Sequence, residues 1–348
     1  MTFGWNTQRW VTLGWAAILL GAPAQAAPAH VVLVTPRGET AMERTFKEEL
    51  QRLAGPVRFT LVKSDPSNPQ DMAALPERIR KEKPSLVYTW GTPTTLAVAG
   101  THDAPAISDI PIVFAVVADP LRAKLVSSLR TPGRNLTGTS HLAPLATQFG
   151  TMQNYRPFKA MGVVYNPTEP NARFMVEDLT ASARLNGIEL LVEKVGLNLA
   201  GEPDPTTLES QIRKLKARGA EWLYLGPDTF VAFTHRKTTT DAAVKAALPS
   251  FTANETAVRD GNALVGMFSP VDGMARFVAH KASQIIKGQA NPADIPIETL
   301  QRFTVMVNMC VAQALNMLPN AAMLGYAELR QPTHNAAAPG ALTCQPLH

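Results

Sequence analysis

Residues 110–140 read IPIVFAVVADPLRAKLVSSLRTPGRNLTGTS, a stretch that holds a buried strand, a helix start and a passage between two domains. Residues 112–117 are an uninterrupted apolar run rich in β-branched side chains, which suits a parallel strand covered on both faces. The run ends at Asp119-Pro120. Asp caps a helix with its carboxylate and Pro fits the first helical position, so the pattern predicts a helix with Leu121, Leu125, Val126 and Leu129 on its buried stripe. That helix stops before Thr131-Pro132-Gly133, and 134–140 follows as an extended polar segment in which Gly138 allows two elements to approach closely.

Outward from this stretch the same alternation repeats. Strands are predicted over 30–35, 57–62 and 86–90. Helices are predicted over 40–53, with Met42, Phe46, Leu50 and Leu53 on one face, over 71–81, and from near Pro93. Beyond Ser140, strands are expected at 161–165, 188–195, 222–226, 250–252 and 263–267. A helix over 172–186 ends at Asn186-Gly187, and another runs from Asp204-Pro205 to Gly219. The fold class is therefore α/β, with two successive lobes, each a parallel sheet flanked by helices. A last helix, 272–287, follows a break at Phe268-Ser269-Pro270.

Composition bounds the function. Residues 1–26 read as a cleaved export signal: Arg9 is their only charge, 10–21 is an apolar core, and Ala24-Gln25-Ala26 supplies a small-x-small cut site. No Cys follows the apolar core, so the mature chain is expected free in the periplasm without a lipid anchor. Removing the signal leaves 322 residues and an excess of four positive charges. Basic and acidic residues alternate along 77–83 and 209–218, the pattern of solvated helix faces, and nucleic acid is not an expected partner. Cys310 and Cys344 are the only cysteines; either they bridge the tail to the last helix, or Cys310 is a small buried apolar residue. The tail is Ala, Pro and Gln rich from Gln331 on, for which disorder is the default reading.

Open parallel sheets bind ligands beyond the carboxyl ends of their strands. Those ends supply Gly91, Thr92, Thr94, Thr95, Asp119, Thr139, Ser140, Tyr165, Glu169, Asn171, Asp228, Thr229, Asn254, Glu255, Phe268 and Ser269. Hydroxyls, amides, acids and rings of this kind suit a small polar ligand held by hydrogen bonds and stacked on an apolar portion. In Gly91-Thr92-Pro93-Thr94-Thr95, free N–H groups at a helix start beside Thr hydroxyls suit a carboxylate, although Thr92 also serves as a plain cap. Tyr165, Phe230 and Phe268 are either stacking groups or core. No GxSxG, P-loop, HExxH or dinucleotide fingerprint occurs, and seven histidines lack ligand spacing. No catalytic residue, metal or cofactor is expected, and His141 beside Ser140 reads as a hinge or rim residue.

Several of these stretches resemble one family. IPIVF, ADP, LV.SL and PG.N.TG.S within 110–140, YNPTEPN at 165–171, IKG at 286–288, PADIPIE at 292–298 and FTVMVN at 303–308 are similar to the solute-binding proteins of ABC importers, in the family that includes binders of tryptophan and related aromatic amino acids. The resemblance runs from about residue 30 to 320. It implies a two-lobe type I periplasmic-binding fold with three hinge crossings, near Gly138, Phe268 and Asn291. The lobes would be 27–138 plus 268–290 and 139–267 plus 291–320, with 321–348 as a tail. It also implies a monomer that hands a small ligand, best an aromatic or other amino acid, to a membrane permease. Asp228 and Glu169 would face a ligand ammonium group, unless they cap helices. A periplasmic sensor that engages a signalling receptor is the alternative; an exported enzyme is a third option, which would need a base and nucleophile converging in the cleft. Where the family has Tyr-Gly after Ser, this chain has Phe268-Ser269-Pro270, so ligand choice need not match the tryptophan binders.

Overall fold

A computed structural model describes residues 1, 2, 4 and 28–331, so most of the expected signal, the tail beyond Gln331 and Cys344 lie outside the described residues. The chain runs β1 (Ala29–Thr35), α1 (Ala41–Ala54), β2 (Val57–Lys63), α2 (Pro69–Glu82), β3 (Leu86–Trp90), α3 (Thr92–Ala99), β4 (Ile112–Ala115) and β5 (Leu136–Ser140). Next come α4 (Leu145–Tyr155), β6 (Ala160–Tyr165), α5 (Pro170–Leu185), β7 (Glu189–Lys194), α6 (Leu208–Ala217), β8 (Trp222–Leu225), α7 (Arg236–Lys245), β9 (Ser250–Thr252), α8 (Glu255–Arg259) and β10 (Val265–Phe268). The chain closes with α9 (Val271–Ile286), β11 (Glu298–Thr299), β12 (Thr304–Asn308), α10 (Met309–Ala314), α11 (Ala321–Leu324) and β13 (Glu328–Arg330).

Local chemistry explains the starts. Thr40 and Glu43 form a reciprocal capping box on α1, the Thr40 N–H donating to Glu43 Oε2 at 2.9 Å, and Met42, Phe46 and Leu50 are buried as expected. Asn68 caps α2 by accepting from the Gln70 and Asp71 N–H groups, with Pro69 in the first position. At Gly91 the backbone takes φ 80°, which turns β3 directly into α3.

Among the described residues the strands form two sheets, ordered β11-β5-β4-β3-β1-β2 and β13-β12-β10-β9-β8-β6-β7. All pairings are parallel except β10 with β12. Strand order reverses between β1 and β3 in one sheet and between β6 and β8 in the other, which places a crevice beyond their carboxyl ends. The two-lobe architecture expected from the alternation is present.

Three details differ. The helix expected after Asp119 is a succession of turns: Asp119 Oδ1 accepts from the Leu121 and Arg122 N–H groups, but Lys124 takes φ 53° and ends the coil after one turn. Leu125 and Val126 are buried as expected, whereas Leu121 and Leu129 are 43% and 36% exposed. The third crossing lies after Thr299 rather than near Asn291. Residues 291–299, expected in the second lobe, are hydrogen-bonded along the first sheet: Gly133 N–H to Ala293 O (3.1 Å), Ile297 N–H to Leu129 O (2.7 Å) and Thr137 Oγ1 to Ile295 O (2.9 Å). Finally, 321–330, assigned to a tail, form α11 and β13, and β13 pairs with β12 at the edge of the second sheet. Cys310 is disulfide-bonded, so it is not a free apolar filler.

Candidate functional site

A cavity of about 720 Å3 opens between the two sheets, within the range of small-molecule sites. The first sheet contributes Pro36 and Arg37 after β1, Trp90 at the end of β3 and Val116 after β4. The second contributes Phe233 after β8, 253–256 after β9 and Phe268 at the end of β10. His141 and Ser269, on the first two crossings, form its floor, Ser269 Oγ donating to the His141 carbonyl at 3.2 Å. A neck of about 10 Å3 shares Trp90, Val116, His141 and Phe233 with this cavity. It shares Thr92, Ala118, Asn171 and Pro227 with a second space of about 190 Å3.

The aromatic wall spans the lobes. Trp90 meets Phe233 edge-on with ring centroids 4.8 Å apart. The Arg37 guanidinium lies 4.1 Å above the Trp90 ring and 5.7 Å from the Phe233 ring. Burial lowers the Arg37 pKa; Glu43 opposes this and Arg236 adds to it. Arg236 donates to the Phe233 carbonyl at 2.8 Å and pairs with Asp260 at 3.6 Å. The Nε atoms of both arginines are buried without a hydrogen-bond partner, as are both ring nitrogens of His141. Burial lowers the His141 pKa to about 4, with the Val117 backbone opposing. Glu255 completes the wall, its Oε1 accepting from Arg259 Nε at 2.5 Å and its Oε2 from the Val271 N–H at 2.9 Å.

Of the residues singled out in the sequence, Asn254, Glu255, Phe268 and Ser269 line this cavity, and Gly91, Thr92, Asn171 and Thr229 line the neck. The others go elsewhere. Thr94 pairs with Ser64 at 3.1 Å and Thr95 donates to Gly91 O at 2.7 Å, both inside the first lobe. Thr139 donates to Glu298 O at 2.7 Å, and Ser140 lies buried at the end of β5, opposite Thr299. Asp119 caps its own turn at the edge of the second space. Tyr165 packs in the core of the second lobe.

The buried carboxylates of Glu169 and Asp228 accept from the protein's own donors. Glu169 accepts from the Thr229 and Phe230 N–H groups at 2.9 Å and from the side chains of Asn166 and Asn171 at 3.2 Å. Asp228 accepts from the N–H groups of Asn166 (2.6 Å) and Val231 (2.7 Å). Burial and the neighbouring Glu169 push the Asp228 pKa well above the usual carboxylate range. Together they clamp the loop after β6 to the loop after β8. Sequence reading did not single out Arg37, which lies in the strand-end stretch 35–40, and missed Trp90, Phe233 and Arg236; Arg37 and Trp90 lie at the ends of β1 and β3, the positions that flank the switch point.

The sequence matches the family model described as ABC transporter substrate binding protein over residues 56–330. It is 27% identical over 262 residues to a tyrosine-binding protein of Clostridioides difficile (strain R20291), covering 75% of this chain and 70% of that one. The fold is similar to a conserved domain protein from Vibrio cholerae, with TM-score 0.75, 25% identity, and 87% of this chain and 99% of that chain covered. It is also similar to an ABC domain in complex with L-Trp from Streptococcus pneumoniae, with TM-score 0.75, 20% identity, and the same coverage of 87% and 99%.

Proposed function

We propose, since this chain belongs to the ABC transporter substrate-binding protein family, that its interlobe cavity takes one small carboxylate-bearing molecule with a planar body, an aromatic amino acid in the first instance. As the extracytoplasmic solute-binding component of an ABC importer, it delivers that solute to a membrane permease and carries out no catalysis. The observation that carries the ligand reading is the stack of Arg37, Trp90 and Phe233: a cation above one ring, and two rings, one from each lobe, meeting at the cavity wall. The binding properties of the tyrosine and tryptophan relatives agree with such a wall.

The lobes are 28–140 with 270–300, and 141–269 with 301–331, and they close as rigid bodies about the three crossings. Ligand contacts made only in the closed form supply the differential affinity that drives closure. Micromolar affinity needs about 8 kcal/mol, within reach of a ligand of amino-acid size. The mature chain starts after residue 26 and carries no lipid.

Titration calorimetry against L-tryptophan, L-tyrosine and L-phenylalanine, with L-leucine and ribose as controls, tests this reading. At least one aromatic ligand is expected to bind. Trp90→Ala is expected to weaken it by about 10-fold or more, the loss of one ring contact and its cation partner. Tighter binding of ribose than of every aromatic compound would discard the ligand assignment.

A further inference from the structure

We infer that Arg37 and Arg236 form a clamp for the ligand carboxylate, one guanidinium from each side of the cavity, and that this carboxylate draws the two sides together. The inference rests on the interlobe cavity being the solute site and deepens that reading by naming the groups that hold the acid end. The two arginines come from different sheets. Arg37 follows β1 of the first, and Arg236 opens α7, which joins β8 to β9 of the second. Both line the cavity, and they meet around Phe233: the Arg37 guanidinium lies 5.7 Å from its ring and Arg236 donates to its carbonyl at 2.8 Å. Each keeps a buried Nε with no acceptor. A guanidinium carries donors only, so the group that completes both is an oxyanion.

The acids of the fold leave this place open. Glu43 accepts from the Thr40 N–H at 2.9 Å and from the Tyr88 hydroxyl at 3.2 Å. Asp260 stands 3.6 Å from Arg236, too far for a hydrogen bond. Burial lowers the Arg37 pKa, and the Arg236 charge adds to that effect, so the two cations act on each other. Like charges on opposite sides of a gap repel. A carboxylate between them replaces that repulsion with charge-assisted hydrogen bonds to both sides, which exist together only when the gap is closed. The clamp accepts a zwitterion, because Glu255, Asp260 and Asp272 line the same cavity and offer an acidic side to the ligand ammonium.

The test uses protein stripped of carried-over ligand by unfolding and refolding. Wild type, Arg37→Gln and Arg236→Gln are titrated with L-tryptophan, L-tyrosine, L-phenylalanine and L-leucine, and with the amines that lack their carboxylates: tryptamine, tyramine, phenethylamine and isoamylamine. Closure is read at saturation from the radius of gyration in X-ray scattering. The amino acid that wild type binds most tightly is expected to weaken by about 10-fold or more in each variant, the loss of a hydrogen bond to a charged group. Its amine, weaker by about 10-fold or more in wild type, is not weakened further by either substitution. In wild type the amino acid is expected to reduce the radius of gyration and its amine to leave it unchanged. A smaller loss in either variant, or an amine that closes the chain as far as its amino acid, would overturn the clamp while the solute site stands. If L-leucine binds most tightly and depends on both arginines, the clamp stands and the aromatic assignment fails. If ribose binds and no amino acid does, both fail. Where Arg236→Gln does not fold, Arg37→Gln and the wild-type scattering decide the matter.

Discussion

His141 lies at the first crossing between the lobes, buried, with both ring nitrogens unpartnered and its pKa lowered to about 4 by burial. In the unfolded chain the imidazole titrates near its ordinary 6.5. A depressed folded pKa means that the unfolded state takes up the proton first. The neutral ring's contribution is thus fully present above pH 6.5 and is lost as the pH falls from 6.5 through about 4. Between pH 7 and pH 5 the wild type is expected to lose about 2 kcal/mol more than His141→Asn, read from urea unfolding at both pH values. The comparison is between variants because His30 and His235, also lowered by burial, act in the same direction, whereas Asp228, raised by burial and Glu169, acts in the opposite one. Equal slopes in the two proteins would mean that His141 is hydrated in the native state.

At the scale of elements, one buried cation adds to the apolar packing of α9 on the first sheet. Lys281 Nζ donates to Gly138 O at 3.0 Å and to Pro296 O at 2.5 Å, and lies 3.2 Å from Glu298 Oε2. These contacts join α9, β5 and the segment leading to β11, which explains why 291–299 stays with the first lobe. Lys281→Met is expected to cost about 2–4 kcal/mol, the price of two orphaned carbonyls and an unpaired acid. Hydrogen exchange is expected to quicken over 292–299 and to be unchanged in β6 and β8; a uniform increase would contradict this local role. The same strand shows why Gly138 was legible: at its pairing with Phe114, a Cβ would overlap the Phe114 carbonyl and ring. The helix after Asp119 was misread for a comparable reason. Its cap signal is real, but Lys124 in a left-handed conformation lets the chain turn back, and one turn suffices to bury Leu125 and Val126.

Across the whole molecule, Arg122 of the first lobe bridges to α5 of the second. Its guanidinium reaches Glu177, lies 2.6 Å from Asp178 and stacks 4.5 Å from the Phe174 ring. These groups are partly exposed, so the bridge is worth about 1 kcal/mol or less, and salt weakens it. Because it joins residues beside the two sheets, it is expected to favour the closed form over an open one. Arg122→Ala is expected to weaken ligand binding about twofold to fivefold and to raise the radius of gyration of the unliganded chain in X-ray scattering. An unchanged radius with unchanged affinity would mean that the bridge forms equally in both states. At this scale the division between sequence and structure is clear. Periodicity, capping residues and Gly or Pro punctuation are local, so the two parallel sheets, most helices and the family motifs could be read along the chain. The site was only half legible, because a polar residue at a strand end declares a hydrogen-bonding group without declaring its partner. Asp228 satisfies the Asn166 N–H, Glu169 the N–H groups of Thr229 and Phe230, and Thr94 the Ser64 hydroxyl, all through partners 30 to 62 residues away. Arg37, stacked on Trp90 near Phe233, has among the described residues no carboxylate within ion-pair distance and keeps a buried Nε without an acceptor. The sequence by itself determined the sheets and the direction of their binding edges; the tertiary structure decided which of the polar groups at those edges were already spent on the protein's own backbone and which remained for a ligand.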